Sequence, residues 1–189
     1  MSNFSDFFPA AGGGGLTPKF EEFNSSGTFT PTQALIDAGG YIEVFLVAGG
    51  GKSGSSNFGS AGGETILTQM YLTSATGCAI TIGAGATTDY ATGGNSTFAG
   101  SSAGGVDLQA NGGHGYPSQS NKLGAGWGAN VTNSYQYTAG SGVFGYGAGG
   151  SGFNAYESGG IRQPKANSGQ GCNVNQSGGS GYCLIKWYE

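Results

Sequence analysis

Charge is what this sequence lacks most. Lys, Arg, Asp and Glu supply 8% of its 189 residues, against about 25% in an ordinary soluble domain. Six basic residues stand against ten acidic ones, a net charge of −4, and neither sign clusters. The chain therefore carries no electrostatic footprint for a nucleic-acid backbone. Long apolar runs are missing too. The longest is Val44 to Ala48, far short of the ~20 residues that cross a bilayer as a helix. The opening residues hold neither a basic stretch nor an apolar one, so no secretory leader is expected. Only 5 prolines are present and glycine keeps no fixed period of three, which excludes collagen. The 3 cysteines (Cys78, Cys172, Cys183) lack metal-ligand spacing and have a single histidine to help them. Neither a disulfide framework nor a zinc site follows, and no metal or cofactor is expected. The three thiols read as reduced, small, buried groups.

Glycine is abundant: 42 residues, roughly three times the usual share. Leu, Ile, Val and Phe together reach only about 17%, a level associated with disorder when net charge is high. Here net charge is low, and 11 Phe, 10 Tyr and 2 Trp supply large buriable groups. The sequence reads as a folded chain with a thin core.

Short alternating runs carry that core. Strands are expected over 19–24, 27–30, 41–47, 64–72, 78–82, 96–98, 106–108 and 182–188, with one helical turn at 33–38 ended by Gly39-Gly40. In 41–47, Ile42, Val44 and Leu46 alternate with Glu43, while Phe45 and Val47 make the second face apolar as well. That strand should be central and covered on both sides. In the last run, Cys183, Ile185 and Trp187 should point inward and Lys186 outward. No stretch sustains a helical period. The fold class is all-β, a β-sandwich with long glycine-rich loops, preceded by an extended N-terminal peptide.

Residues 1–15 form a separate unit. Phe4, Phe7 and Phe8, around Asp6 and closed by Pro9, cannot make a core alone, and the glycines that follow decouple them from the rest. Such a peptide is either a disordered terminus or a docking element that buries its rings in a partner; the docking role is the one expected. The domain proper spans 16–189, with a loop-rich insert over about 111–181 in which aromatics punctuate glycine. Seventy residues are too many for passive connection in a compact domain. Ordered loops packed side by side are expected, some of them polyproline-II-like.

Two motifs resemble nucleotide sites and fail on context. Phe45 to Ser53 runs from a strand into Gly-Gly-Gly-Lys-Ser, but Leu46 stands where a phosphate loop needs its first glycine, and no helix is expected to follow. Gly145 to Gly150 fits a dinucleotide-type spacing without any strand–helix unit around it. His114, in Gly-Gly-His-Gly-Tyr, is a general base only if a nucleophile adjoins it; a loop histidine touching a ligand or a neighbouring chain is the preferred reading, and a plain exposed histidine the alternative. The carboxylates are too scattered for a glycosidase pair. No enzymatic activity is expected.

Six pieces occur in order: Ser26-Gly-Thr-Phe-Thr-Pro31, Val44-Phe-Leu-Val-Ala-Gly-Gly-Gly51, Gly62-Gly-Glu64, Ile80-Thr-Ile-Gly-Ala-Gly85, Gly93-Gly-Asn-Ser-Thr-Phe98 and Gly181-Tyr-Cys-Leu-Ile-Lys-Trp187. Together they resemble the glycine-rich domain of tailed-bacteriophage tail-fibre and tail-tip proteins. The opening Asn3-Phe-Ser-Asp-Phe-Phe-Pro9 is similar to a short N-terminal peptide of some cyanophage structural proteins. The resemblance implies a homotrimeric virion component of the distal tail that displays loops to a host surface. The partners expected are other tail or baseplate proteins and a host glycan or outer-membrane receptor. Uncharged aromatic loops suit stacking on sugar rings, with Asn, Ser and Gln supplying hydrogen bonds. The candidate contacts are His114, Tyr116, Trp127, Tyr135, Tyr137, Tyr146 and Tyr156. Rings in glycine loops also serve simply to pin those loops by packing. The alternative for the whole chain is a purely structural baseplate or capsid decoration protein without host contact.

Overall fold

A computed structural model describes residues 15–53, 60–99, 106–115, 166–172 and 176–189. Among the described residues, eight strands and one short helix follow in order: β1 Pro18–Phe23, β2 Gly27–Phe29, α1 Gln33–Asp37, β3 Tyr41–Val47, β4 Thr65–Tyr71, β5 Cys78–Thr81, β6 Ser96–Ala99, β7 Val106–Ala110 and β8 Tyr182–Tyr188. They form two four-stranded sheets, ordered β1-β8-β3-β4 and β2-β5-β6-β7. Every pairing is antiparallel. The expected strands appear within a residue or two of their expected limits. The helical turn is present as well.

One buried cluster draws on both sheets. Phe23, Ile42, Val44, Leu46, Cys183, Ile185 and Trp187 come from the first, and Phe29, Cys78, Ile80, Phe98 and Ala110 from the second. Strand alternation explains the choice, since residues i and i+2 share a face. Register aligns Ile42 with Trp187, Val44 with Ile185 and Leu46 with Cys183, so these inward residues pack in rows. Phe29 meets Trp187 edge-on at 5.2 Å between ring centres, an arrangement worth about 0.5–1.5 kcal/mol beyond area burial. Burial pushes the Cys183 thiol up to about 12, with Glu21 adding to the effect. At neutral pH it is a protonated core group and no nucleophile. All three cysteines are buried, as expected.

The other face of β3 is apolar too. Phe45, Val47 and Tyr182 form a second buried cluster with Leu184 packed against it. This is the two-sided covering that the sequence of β3 predicts.

Helix α1 closes one side of the core with Leu35, which is fully buried. Thr32 caps it by accepting the Leu35 amide at 3.0 Å, as an N-cap threonine does. Gly39 and Gly40 end it, at φ +103° and +68°. The Thr32 hydroxyl also bonds the Glu189 carboxylate, which accepts from the Trp187 indole at 3.2 Å. Those bonds, Thr32's first, hold the Glu189 carboxyl below the usual glutamate range.

Candidate functional site

The strands do not simply end in turns. Each of six strand ends runs into a glycine-bearing segment: 48–53 after β3, 60–64 before β4, 83–86 after β5, 91–95 before β6, 111–115 after β7 and 178–181 before β8. A seventh, 168–172, joins them. Segment 48–53 lies at the centre. Ala48 and Gly51 donate their amides to Glu64 and Ala61, both on 60–64, at 3.0 Å each. Gly49 and Lys52 donate to Gly94 and Ala91, both on 91–95, again at 3.0 Å. Gly50 donates to Gly179 at 2.8 Å. In return, the carbonyls of Gly49, Gly50 and Gly51 accept from Gly113, Ala86 and Cys172. The central segment thus bonds all six others.

Two amide pairs repeat with a period of three: Ala48 and Gly51 both donate to 60–64, and Gly49 and Lys52 both donate to 91–95. A chain with three residues per turn and no internal hydrogen bonds is the polyproline-II geometry, and here the amides it leaves free are satisfied sideways. The outer six close a ring. Segment 60–64 bonds 111–115 (Ala61 to His114, 2.9 Å), which accepts from 91–95 (Gly93 to Gly113, 2.9 Å), which bonds 83–86 (Gly94 to Ala84, 2.8 Å). Segment 178–181 donates to 83–86 (Gly178 to Ala86, 2.9 Å) and to 168–172 (Gly179 to Gln170, 2.8 Å), and Ser60 returns to Cys172 at 3.1 Å. The result is a glycine lattice, one segment surrounded by six. Side chains are excluded by distance: a Cβ on Gly50 would sit 2.0 Å from the Gln170 carbonyl oxygen, and one on Gly178 2.0 Å from that of Gly50.

The lattice is bolted to both sheets. Buried Ser96, on β6, donates to the Val47 carbonyl of β3 at 2.7 Å and accepts the Gly83 amide at 2.9 Å. At the far end, buried Ser60 bonds the Gly51 carbonyl at 2.7 Å and accepts the Cys172 amide at 2.6 Å. The Ser53 amide donates to the Cys172 sulfur at 3.2 Å.

That far end carries the polar groups. Lys52 extends from the central segment to Asp89, 3.0 Å away, and donates to the Thr87 carbonyl at 2.9 Å. Its side chain is 15% exposed and that of Asp89 53%, so the lysine is largely covered while its partner meets solvent, which screens the pair. Tyr90, next in sequence, has φ +63°, a conformation costly for a non-glycine residue. The residue is nevertheless 43% exposed. Exposed His114 lies on the neighbouring segment, its Nδ1 3.3 Å from the Thr92 hydroxyl. The backbone of Gly115 packs on those of Lys52 and Tyr90. Lys52, Asp89, Tyr90, Thr92 and His114 thereby gather on one rim, bearing hydrogen-bond donors, acceptors and an open ring.

His114 is thus the one sequence-predicted contact that falls within the described residues. Tyr116, Trp127, Tyr135, Tyr137, Tyr146 and Tyr156 lie outside them, as do Phe4, Asp6, Phe7, Phe8 and Pro9 and the Gly145 to Gly150 motif. Sequence reading missed Lys52, Asp89, Tyr90 and Thr92. The signal available was the Gly-Gly pair beside nearly every strand, which places the intervening residues on a common end. The amides of Gly49, Gly50 and Gly51 are spent inside the lattice and offer nothing to a phosphate. Among the described residues no serine or cysteine bonds the His114 ring, and no cluster of three or more His, Cys, Asp or Glu stands ready for a metal. Comparison with protein-family models, curated proteins and solved structures finds no match.

Proposed function

We propose that this chain is a bacteriophage tail-fibre or baseplate-tip component. It docks through its N-terminal peptide and presents the outer end of a β-sandwich and glycine lattice to a host receptor. The observation that carries the reading is the lattice itself. Seven backbones locked by mutual hydrogen bonds make an uncharged, rigid stem, and its far end bears Lys52, Asp89, Tyr90, Thr92 and His114. Rigid support with variable loops at one end is how binding scaffolds are built. The chemistry of the rim suits a polyhydroxyl ligand such as a surface glycan: a ring for stacking and neutral or paired polar groups for hydrogen bonds. The low charge makes such binding tolerant of salt. The virion location and homotrimeric state rest on the resemblance of the six ordered motifs, and no catalytic step belongs to the proposal.

The test is competition. Purified protein should block phage adsorption to host cells, and a protein deleted in residues 1–11 should block equally well yet fail to enter particles. A full-length protein that never competes overturns the receptor role. A truncated protein that incorporates at full occupancy overturns the docking role.

A second reading, a structural decoration without host contact, draws on a different observation. Phe20, Leu67, Tyr71 and Tyr188 leave apolar surface exposed on the first sheet, which suits packing against neighbours. Under that reading the rim substitutions below change nothing in adsorption.

A further inference from the structure

The edges of the first sheet are unlike each other. Strand β1, at one edge, carries Pro18, Lys19, Glu21 and Glu22, the charged and proline-bearing composition that keeps an edge from pairing. Strand β4, at the other edge, pairs among the described residues with β3 alone. Its seven residues, Thr-Ile-Leu-Thr-Gln-Met-Tyr, contain no charge, no proline and no glycine. Among the described residues the second sheet has no comparable edge: β2 has three residues, and the β6–β7 ladder shifts register at Phe98/Ala99. An uncharged edge of this length presents a row of backbone donors and acceptors to any extended chain.

We infer that β4 is a self-association edge, and that its occupant is β4 of a second copy of this chain, paired antiparallel about a two-fold axis at Thr68. Self-pairing is favoured by what then meets. Thr68 faces its own copy, Ile66 faces Met70, Leu67 faces Gln69 and Thr65 faces Tyr71. β-branched and apolar pairs of this kind stabilise a ladder, and no like charges oppose. Pairing β4 with β1 of a neighbour would instead set Glu21 and Glu22 against uncharged residues and waste a bond at Pro18, which lacks an amide hydrogen. The two-fold contact is isologous and produces one continuous eight-stranded sheet. It also shields Leu67 and Tyr71, 51% and 68% exposed in the single chain. The inference goes beyond the proposed function and uses none of the rim residues. It adds a two-fold relation to any threefold arrangement rather than replacing it.

The experiment is light scattering on the full chain over a concentration series. The wild-type protein should reach an even number of copies. A Leu67→Lys/Gln69→Lys variant should fall to half the wild-type mass, because each lysine then opposes the other across the axis. A Leu67→Glu/Gln69→Glu variant should do the same. Mixing the two variants should restore the wild-type mass, since opposite charges now face one another. That restoration also removes misfolding as an explanation, because both substituted positions are exposed and only a folded edge re-pairs. Amides of 65–71 should exchange slowly in the wild type and rapidly in either variant alone. An odd number of copies in the wild type overturns the inference. So does a mass that the paired substitutions leave unchanged, or failure of the mixture to re-pair. Protection of 65–71 that arises only inside the assembled particle assigns the edge to another protein and overturns it as well.

Discussion

Gly50 approaches Gln170 so closely that a Cβ added to it would stand 2.0 Å from the Gln170 carbonyl oxygen. The two residues belong to the central lattice segment and one of its six neighbours, and both obstructing groups are backbone. Nothing there can rotate out of the way. Gly50→Ala should cost about 3 kcal/mol or more, at the upper end for overpacking, and should lower solubility with it. Gly27→Ala is the control. Its Cβ would meet only the Phe23 ring, at 3.2 Å, and a ring edge yields by a few tenths of an ångström. Thermal melting of the two variants checks the expectation. Equal, small shifts would mean that the lattice spreads apart at little cost.

The sheets carry a different share of the stability. Trp187 is 9% exposed, meets Phe29 edge-on and donates its indole N–H to Glu189. Removing that side chain leaves a cavity between the sheets, so Trp187→Ala should cost about 3–5 kcal/mol. The adjacent Tyr188 points the other way and is 53% exposed; Tyr188→Ala should cost under about 1 kcal/mol. Denaturant titration of both separates the two faces of β8. A mild loss at Trp187 would put the energetic centre of the fold in the lattice instead.

The strands were legible because alternation is local. Ile42, Val44 and Leu46 announce an inward face, and Phe45 with Val47 announce a covered outer one, within a single run of seven residues. The lattice was not legible in the same way. Its three-residue period is a property of hydrogen-bond directions and leaves no trace in side chains, because glycine has none to alternate. The segments that pack together come from the whole described chain, from Ala48 to Gly181, rather than from 111–181 alone. The rim was hidden for the same reason. Lys52 and Asp89 are 37 positions apart in sequence, and only the lattice brings their segments together.

Glu189 gives the fold a pH dependence of known sign. Hydrogen bonds from Thr32 and Trp187, and then the positive charge of Lys19, hold its carboxyl below the ordinary glutamate value in the folded chain. A depressed folded-state value means that the unfolded chain binds the proton more readily. The stabilisation is therefore complete above the ordinary glutamate range and is lost as pH falls from there through the lowered folded-state value. Melting temperature should drop on acidification, and Glu189→Gln should flatten that drop in the same window while lowering stability at neutral pH. A variant with the wild-type pH profile would show that Glu189 does not couple α1 to β8.

Tyr90 offers the sharpest division between a ring that binds and a ring that pins. It stands at the outer end of the lattice with φ +63° and 43% of its surface open. Holding a non-glycine residue there costs on the order of 1–2 kcal/mol. A residue kept only for packing has no reason to remain strained and exposed. Asparagine tolerates the left-handed conformation and removes the ring, so Tyr90→Asn should leave the melting temperature unchanged or higher. If the ring is a stacking platform for the receptor, the same variant should weaken adsorption to host cells by roughly 1–3 kcal/mol, the scale of a single interface hot spot. His114→Ala, on the same rim, should lower adsorption without lowering stability, since its one described side-chain bond is an exposed contact to Thr92. A ring that merely pins the 87–90 turn gives the opposite order: stability falls first, and adsorption only in proportion. A folded Tyr90→Asn/His114→Ala protein that still competes for host cells at wild-type affinity would remove the rim from the receptor interface.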